Sequence, residues 1–270
     1  MEENKINALV NVGQSKVVEK AYDDIASPLA KKLGEALSTI IDISNTFLWP
    51  IKFGNEKTKL YFENNINKYK KKLENIDGDK VVNVPTEISK PILERFTYLS
   101  NEDLSNAFVL LLSNASSSDT INLAHPGFIS VIDRLSPDEA KVLKYLKDVE
   151  SIPKLDITYS NSADNSYVFV IQNATGIEKK VSLTFPENIN LYLDNLESLG
   201  IIKSVTYYHI ELEAELKKIE TDSAELFNEH NKEGLSASDH ESRKRIEKGM
   251  YVVSSYGDLF LKACIDNNQA

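Results

Sequence analysis

The sequence predicts a mainly α-helical protein whose C-terminal part is α+β and resembles a winged helix. Most of the first 150 residues place apolar side chains at helical spacing, interrupted by prolines and capping residues. After Pro153 the pattern changes to short runs rich in β-branched and aromatic residues, with helices between them. We therefore predict an N-terminal helical region at 1–80, a central helical region at 81–150 and a winged-helix-like region at 151–270.

The N-terminal region is predicted to contain two amphipathic helices. The first covers 26–51 and ends near Pro50, because the residue before a proline avoids the helical conformation. The second covers 55–75, with lysines around its last turns, where the negative end of the helix dipole favours them. Packing of the first helix inside a helical domain is the preferred interpretation; the alternative is a membrane-interface contact. That alternative would use Phe47, Trp49, Lys52 and Phe53.

The central region is predicted to contain four helices, at 88–99, 104–115, 126–135 and 137–149. The last begins at Ser136-Pro137-Asp138-Glu139, which combines several helix-start signals. Ser136 can cap the helix, Pro137 suits the first helical position, and Glu139 can accept a hydrogen bond from the Ser136 amide.

The C-terminal region has the element order of a winged helix. A helix at 187–199 takes the position of the recognition helix, and 201–253 forms an enlarged wing that contains a charged helical insertion at 211–247. Strands are predicted at 155–159, 167–172, 181–185, 201–208 and 250–253, and a final helix at 255–265. A small α+β domain without a nucleic-acid role is the favoured alternative. The candidate recognition helix contains Glu187, Asp194 and Glu197 but no Lys or Arg, which is the wrong charge for a phosphate-lined groove.

The charge distribution also disfavours nucleic acid as the partner. The chain of 270 residues has a net charge of −10, and residues 151–270 hold 12 basic and 19 acidic side chains. A DNA-binding alternative would depend on a local basic patch. Its candidate contacts are Lys203, Arg243, Lys244 and Arg245.

No motif in the sequence predicts a catalytic, cofactor or metal site. Phosphate loops, dinucleotide fingerprints and nucleophile elbows are absent from the sequence, which contains one cysteine and four histidines without ligand spacing. Cys264 is expected to be a small core residue. His125 precedes a proline at a helix start, and we expect it to bond a backbone group there. The acids between Glu211 and Glu229 are interpreted as a solvated helix face.

Two segments between residues 85 and 147 resemble one known family. They are PILERFTYLSNEDLSNAFVLLLSNA and HPGFISVIDRLSPDEAKVLKYL, and they resemble the abortive infection alpha family, also called DUF4393. Weaker similarity extends to AYDDIASPLAKKLGEALSTI upstream and to YLDNLESLGII and SSYGDLFLKACI downstream. The resemblance implies a role in bacterial systems that limit phage spread by sacrificing or stalling the infected cell. It brings no known set of catalytic residues.

These observations predict a bacterial anti-phage defence factor that acts by macromolecular interaction, without catalysis or a cofactor. An unidentified host or phage protein is the expected partner, with nucleic acid and a membrane surface as alternatives. The alternative functions are a winged-helix DNA-binding regulator and a membrane-perturbing effector that acts through the amphipathic helix 26–51. Cytoplasmic localisation is expected, because the N-terminus lacks a signal-peptide pattern and a single cysteine is compatible with a reducing compartment.

Overall fold

The computed structural model describes residues 56–161, 167–232 and 242–265. These residues form eight α-helices and one four-stranded antiparallel sheet, which confirms the predicted mainly α fold with a β-containing C-terminal part. The helices are α1 (Glu56–Leu73), α2 (Thr86–Phe96), α3 (Glu102–Ala115), α4 (Gly127–Asp133), α5 (Pro137–Val149), α6 (Ile189–Ser198), α7 (Glu213–Lys232) and α8 (Ser255–Cys264). The strands are β1 (Ser151–Asn161), β2 (Tyr167–Ala174), β3 (Ile202–Val205) and β4 (Ser242–Val253), in the order β2–β1–β4–β3.

The chain divides into two compact units between Leu135 and Ser136, inside the predicted central region. The N-terminal unit contains α1 to α4 and the chain from Lys262 to Ile265. The C-terminal unit contains the sheet, α5, α6, α7 and the first part of α8, up to Leu261.

The N-terminal unit buries the apolar faces of its helices. Asn101 caps the start of α3, because its side chain accepts a hydrogen bond from the Leu104 amide at 3.1 Å. The largest fully buried side chains of this unit include Tyr69, Leu73, Ile92, Leu93, Phe96, Phe108, Leu111, Leu112, Phe128 and Ile132. Cys264 is a free, buried cysteine, which confirms the predicted core role.

Neutral polar side chains join the helices of the N-terminal unit. The buried Asn65 amide on α1 donates hydrogen bonds to the carbonyl oxygens of Phe96 at 3.2 Å and Leu99 at 3.3 Å, and its side-chain oxygen accepts one from Ser105 on α3. These bonds satisfy carbonyls at the end of α2 that have no partner within the helix.

Helix α7 covers one face of the sheet in the C-terminal unit. Leu216 and Ile219 on α7 pack against Leu155 and Ile157 on β1, and Ile246 of β4 joins them. Four ion pairs tie the exposed flanks of α7 to lysines elsewhere in the unit. They are Glu213–Lys248 (3.2 Å), Glu215–Lys180 (2.6 Å), Glu220–Lys244 (2.9 Å) and Asp222–Lys179 (2.6 Å). Several of the acids predicted to be merely solvated therefore bind α7 to its surroundings.

Two predicted elements are wrong. Residues 181–185 do not form a strand, because the amides of Thr184 and Phe185 donate to the carboxylate of Asp138. Residues 242–247 are not helical, because they begin β4 and pair along their length with β1. Their charged side chains led to the helix prediction, whereas in β4 the exposed Arg245 and Glu247 alternate with Ile246, which packs against the core beneath α7.

Two glycines allow the chain to turn and pack closely around β3. Gly200 lies just beyond the end of α6 with a φ of +74°, a left-handed conformation that favours glycine there. Gly257 lies at the start of α8, where a Cβ would approach the carbonyl oxygen of Ile201 to 2.0 Å. No side chain fits at residue 257 without a shift of the backbone.

Among residues 56–161, 167–232 and 242–265, no helix combines the length and the apolarity needed to cross a membrane.

Candidate interaction surface

Asp138 is the most heavily bonded acid of the C-terminal unit. It lies in the first turn of α5, and its side chain is 3% exposed. Its carboxylate accepts hydrogen bonds from the amides of Thr184 and Phe185 at 2.9 Å and from the Tyr192 hydroxyl at 3.2 Å. Lys141 adds an ion pair at 2.9 Å. Asp138 therefore joins α5, the 184–185 segment and α6 through one buried charge.

The pKa of Asp138 lies well below its usual range. Burial by itself raises this pKa, but the hydrogen bonds from the Thr184 amide, Lys141 and the Phe185 amide lower it by more. The carboxyl group is therefore ionised at neutral pH and has its acceptor capacity occupied. Such a group stabilises the fold, and it is poorly suited to exchange a proton with a substrate.

Glu139 forms a second link between α5 and α6. One carboxylate oxygen accepts from the Ser136 amide at 2.5 Å while Ser136 Oγ accepts from the Glu139 amide at 3.2 Å, which confirms the predicted capping box. The other oxygen accepts from Asn195 Nδ2 at 2.6 Å. Since Tyr192 and Asn195 are three residues apart on α6, the two acids of α5 hold one face of that helix.

The opposite face of α6 is exposed and acidic. Tyr192, Leu193 and Leu196 are buried, whereas Leu191 is 64% exposed. The exposed positions within and just before the helix include Glu187, Asn190, Leu191, Asp194, Glu197 and Ser198. Phe185, just before the helix, is 54% exposed. Two large apolar side chains are thus exposed on, or just before, a helix face that also carries carboxylates.

Helix α6 lies across the sheet and reaches both edge strands. Asn190 Nδ2 donates to the Gln172 carbonyl oxygen of β2 at 3.1 Å, and Glu197 accepts from the Ser204 amide of β3 at 2.8 Å. Because the buried helix face is also fixed by Asp138 and Glu139, the exposed face of α6 is held in one orientation.

A buried tyrosine lies next to this helix. Tyr251 on β4 is 1% exposed and pairs with Ile152 of β1. Lys154 and Asp156 lie two and four residues further along β1, so their side chains are on the same side of the sheet as that of Tyr251. Burial raises the pKa of Tyr251, and the charges of Glu197, Asp194 and Asp156 raise it further. The phenol is therefore neutral and lies in a negative field.

Lys154 is the basic group beside this tyrosine. Its ammonium lies 5.6 Å from the centre of the Tyr251 ring, forms an ion pair with Asp156 at 3.3 Å and donates to Ser204 Oγ at 3.1 Å. The charge of Lys154 is thus already engaged, and Asp194 and Glu197 leave the surface acidic.

The four basic residues of the DNA-binding alternative do not form one patch. Lys203 lies on β3 opposite Val252, whereas Arg245 lies on β4 opposite Thr158 of β1. Val252 and Arg245 are separated by roughly 23 Å along β4 at about 3.3 Å per residue. Lys244 is paired with Glu220, Arg245 is paired with Glu247 at 2.7 Å, and Arg243 lies opposite Ser160. The candidate membrane contacts Phe47, Trp49, Lys52 and Phe53 lie outside the described residues.

His125 has the structural role that the sequence predicts. Its Nδ1 accepts a hydrogen bond from the Gly127 amide at 3.0 Å, and its ring lies 5.7 Å from that of Phe128. In the part of the chain that the structure describes, no three His, Cys, Asp or Glu side chains are grouped so that they could hold a metal ion.

The sequence did not predict that Lys154 and Asp156 lie close to Tyr251. Lys154 and Asp156 are about a hundred residues away from Tyr251 in the chain, and only strand pairing brings them together. The signal available in the sequence was the polar alternation of KLDIT on β1, which indicates a strand with one polar face but does not identify its neighbours.

Comparison with known proteins identifies the family. The family model for abortive infection alpha matches residues 61–264, whereas no curated protein matches the chain. An uncharacterised protein from the hydrocarbon-degrading marine bacterium Alcanivorax borkumensis SK2 is a similar solved structure. The match has 16% identity, covers 54% of this chain and 94% of that chain, and has a TM-score of 0.32. The family match covers most of the chain and includes both segments that carry the resemblance, so this protein belongs to the abortive infection alpha family.

Proposed function

We propose that this protein is a bacterial anti-phage defence factor that acts in the cytoplasm by binding another macromolecule. Family membership over residues 61–264 is the observation that carries the proposal. The bonding of the most distinctive residues supports a non-catalytic mechanism. Asp138 and Glu139 are engaged in holding α5 to α6, and His125 bonds a backbone amide.

A protein partner is favoured over nucleic acid by the charge on α6. In the winged-helix interpretation, which we retain as a proposal, α6 takes the place of the recognition helix. The exposed Asp194 and Glu197 on α6, and Glu187 just before it, would repel phosphates rather than bind them. The basic residues Lys203 and Arg245 are too far apart along the sheet to compensate as one patch.

Infection of a susceptible bacterial host that expresses the protein tests the proposed function. Plaque numbers and cell survival are measured with diverse phages at low and high doses. We expect fewer plaques together with death or growth arrest of infected cells at high dose. Unchanged plaque numbers and unchanged survival across all phages would contradict the proposal.

A gel-shift assay with double-stranded DNA at low salt tests the nucleic-acid alternative. That alternative predicts binding that weakens with salt and on replacement of Lys203, or of Arg243, Lys244 and Arg245, by Ala. We expect no shift at protein concentrations at which a control winged-helix protein binds.

A further inference from the structure

Helix α7 is attached to the sheet by charges on both sides of a narrow apolar stripe. The stripe consists of Leu216, Ile219 and Ser223, all buried. A row of acids flanks it on each side, and the two members of each row are seven residues apart, which places them on the same side of the helix. One row binds lysines of β4, and the other binds lysines that follow β2 in the chain. The pairs are Glu213–Lys248, Glu220–Lys244, Glu215–Lys180 and Asp222–Lys179.

Little apolar surface attaches α7 to the rest of the C-terminal unit. Among its described side chains, 213–226, only the three of the stripe are buried, whereas the shorter helix α5 buries six. Leu226, three residues beyond Ser223, continues the stripe but is 57% exposed. The buried cluster that α7 joins is small, because it contains only Leu216, Ile219 and two residues of β1.

The ion pairs that complete this attachment are individually weak. The side chains of the four acids are between 27% and 42% exposed, and ion pairs at such positions contribute little each and are screened by salt. Detachment of α7 leaves the bonds of Asp138 and Glu139 to α6 intact. Elements with few buried apolar contacts open before the rest of a protein. Helix α7 therefore has the attachment of a removable element.

The sheet face beneath α7 has the composition of a groove for an acidic helix. We define the α7 groove as the apolar side chains of three strands and the four lysines that bind α7. They are Leu155, Ile157, Ile171, Ile246, Lys179, Lys180, Lys244 and Lys248. Because charges beside an apolar seam decide which helices pair, the lysines select a helix whose apolar stripe has acids on both sides.

We propose that α7 is a displaceable cover and that the α7 groove binds an amphipathic helix of a partner protein whose apolar stripe is flanked by acids. In the free protein α7 occupies the groove. The partner helix takes its place, buries its own apolar stripe on the sheet and forms ion pairs with the same lysines. This inference rests on the proposed function only in assuming that the macromolecular partner is a protein.

Native-state hydrogen exchange of the full-length protein tests whether α7 opens by itself. The exchange of α7, α5 and β4 amides, corrected for intrinsic rates, is followed with increasing urea concentration. We expect α7 to exchange at least about tenfold faster than α5 and with a weaker dependence on urea, because its opening exposes little surface. Equal exchange rates and equal urea dependence for α7 and α5 would overturn the proposal, because α7 would then open only when the whole unit unfolds.

Removal of two ion pairs tests the role of charge in holding the cover. Glu215→Gln/Asp222→Asn keeps the shape of α7 and leaves the lysines of the groove in place. The matched control, Glu187→Gln/Glu211→Gln, makes the same charge change at exposed positions outside the four ion pairs. We expect α7 to exchange roughly three- to tenfold faster in the first variant and to change by less than about twofold in the control. Equal acceleration in both variants would overturn the proposal, because it would show a response to net charge alone.

A fluorescein-labelled peptide with the sequence of residues 213–232 is the probe for the groove. Its Kd for the full-length protein is measured by fluorescence anisotropy. We expect Glu215→Gln/Asp222→Asn to bind it at least about threefold more tightly than the wild type, because less free energy is needed to open the cover. A peptide with Glu213→Lys, Glu215→Lys, Glu220→Lys and Asp222→Lys should bind at least about tenfold more weakly. Equal affinity for both peptides, or no saturable binding of the first peptide to the loosened variant, would overturn the proposal.

The infection assay distinguishes failure of this inference from failure of the proposed function. If the wild-type protein protects the host but α7 opens only with the whole unit, the inference is overturned and the proposed function stands. If α7 opens by itself and the groove binds the acidic peptide, but the protein protects against none of the phages, the inference is supported and the proposed function is contradicted.

Discussion

The two units of this protein stabilise their buried polar groups with different chemistry. In the N-terminal unit the buried groups are neutral, namely the Asn65 amide with Ser105 and the Tyr69 hydroxyl with Ser116 at 2.7 Å. In the C-terminal unit they include Asp138, which remains ionised. Both networks join helices that are distant in sequence, but only the second depends on a charge whose removal leaves several donors unpaired at once.

This difference indicates that the family signature at the start of α5 has a structural role, which is to join α5 to α6 and to the 184–185 segment. The SPDE sequence combines a helix start with a pair of acids that hold α6 and the 184–185 segment. A signature that looks like clustered acids in sequence therefore orients the exposed face of α6, without lying on that face.

Removal of the Asp138 carboxylate is expected to have the largest effect. Asp138→Ala leaves the amides of Thr184 and Phe185 and the Tyr192 hydroxyl without their acceptor, and we expect a loss of roughly 3–5 kcal/mol in the free energy of unfolding. Urea unfolding, with hydrogen exchange to localise the effect, measures this. The matched control is Asp148→Ala, an exposed acid at the other end of α5, which should change stability by less than about 0.5 kcal/mol. A small effect of Asp138→Ala would contradict the inference that the C-terminal unit depends on a buried charge.

Acid is expected to destabilise the C-terminal unit first. Because folding lowers the pKa of Asp138, its contribution is fully present above the unfolded pKa of about 3.9 and decreases as the pH falls below it. The measurement is the hydrogen-exchange protection of β1 and β4 against that of α1 and α3 between pH 7 and the acid range. In Asp138→Asn this pH dependence should be weaker. Equal acid sensitivity of α3 and β4 would contradict the assignment to Asp138.

Removal of the Asn65 amide is expected to have a smaller effect than removal of the charged group. Asn65→Ala leaves the carbonyl oxygens of Phe96 and Leu99 without a donor, and we expect a loss of about 2 kcal/mol in the free energy of unfolding. Asn64→Ala is the matched control, because its side chain is the exposed neighbour on the same helix. A loss as large as that for Asp138→Ala would show that neutral and charged networks contribute alike.

The exposed ion pair between α2 and α4 is expected to have the smallest effect. Arg95 binds both carboxylate oxygens of Asp133, with its closest contact at 2.7 Å, but the two side chains are 23% and 33% exposed. A double-mutant cycle with Arg95→Ala and Asp133→Ala should give a coupling free energy of about 0.5–1 kcal/mol that decreases with salt. A coupling free energy of several kcal/mol would show that the N-terminal unit also depends on charge.

Helix starts and ends were predictable because the residues that specify them are neighbours in sequence. Ser136 and Glu139 are three positions apart, and Gly200 lies two positions after Ser198, the last residue of α6. Their hydrogen bonds and backbone preferences need no tertiary contact. The helical faces and the core role of Cys264 followed from the same short-range periodicity.

The errors occurred where distant residues decide the local conformation. The 181–185 segment has β-branched residues typical of a strand, but Asp138 binds its amides from more than forty positions away. The start of β4 has the composition of a charged helix, but pairing with β1 makes it a strand. Local propensity is a weak preference that such contacts readily override.

The helical class, the family signature, the capping of α5 and the acidic character of α6 follow from the amino-acid sequence. Each of these depends on residue types and spacings within a few turns of chain. Tertiary contacts were needed to show that Lys203 and Arg245 lie far apart, that Asp138 and Glu139 orient α6, and that Tyr251 lies beside Asp194 and Glu197. Strand register and helix packing create these arrangements, because they bring together side chains that no local pattern in the chain relates.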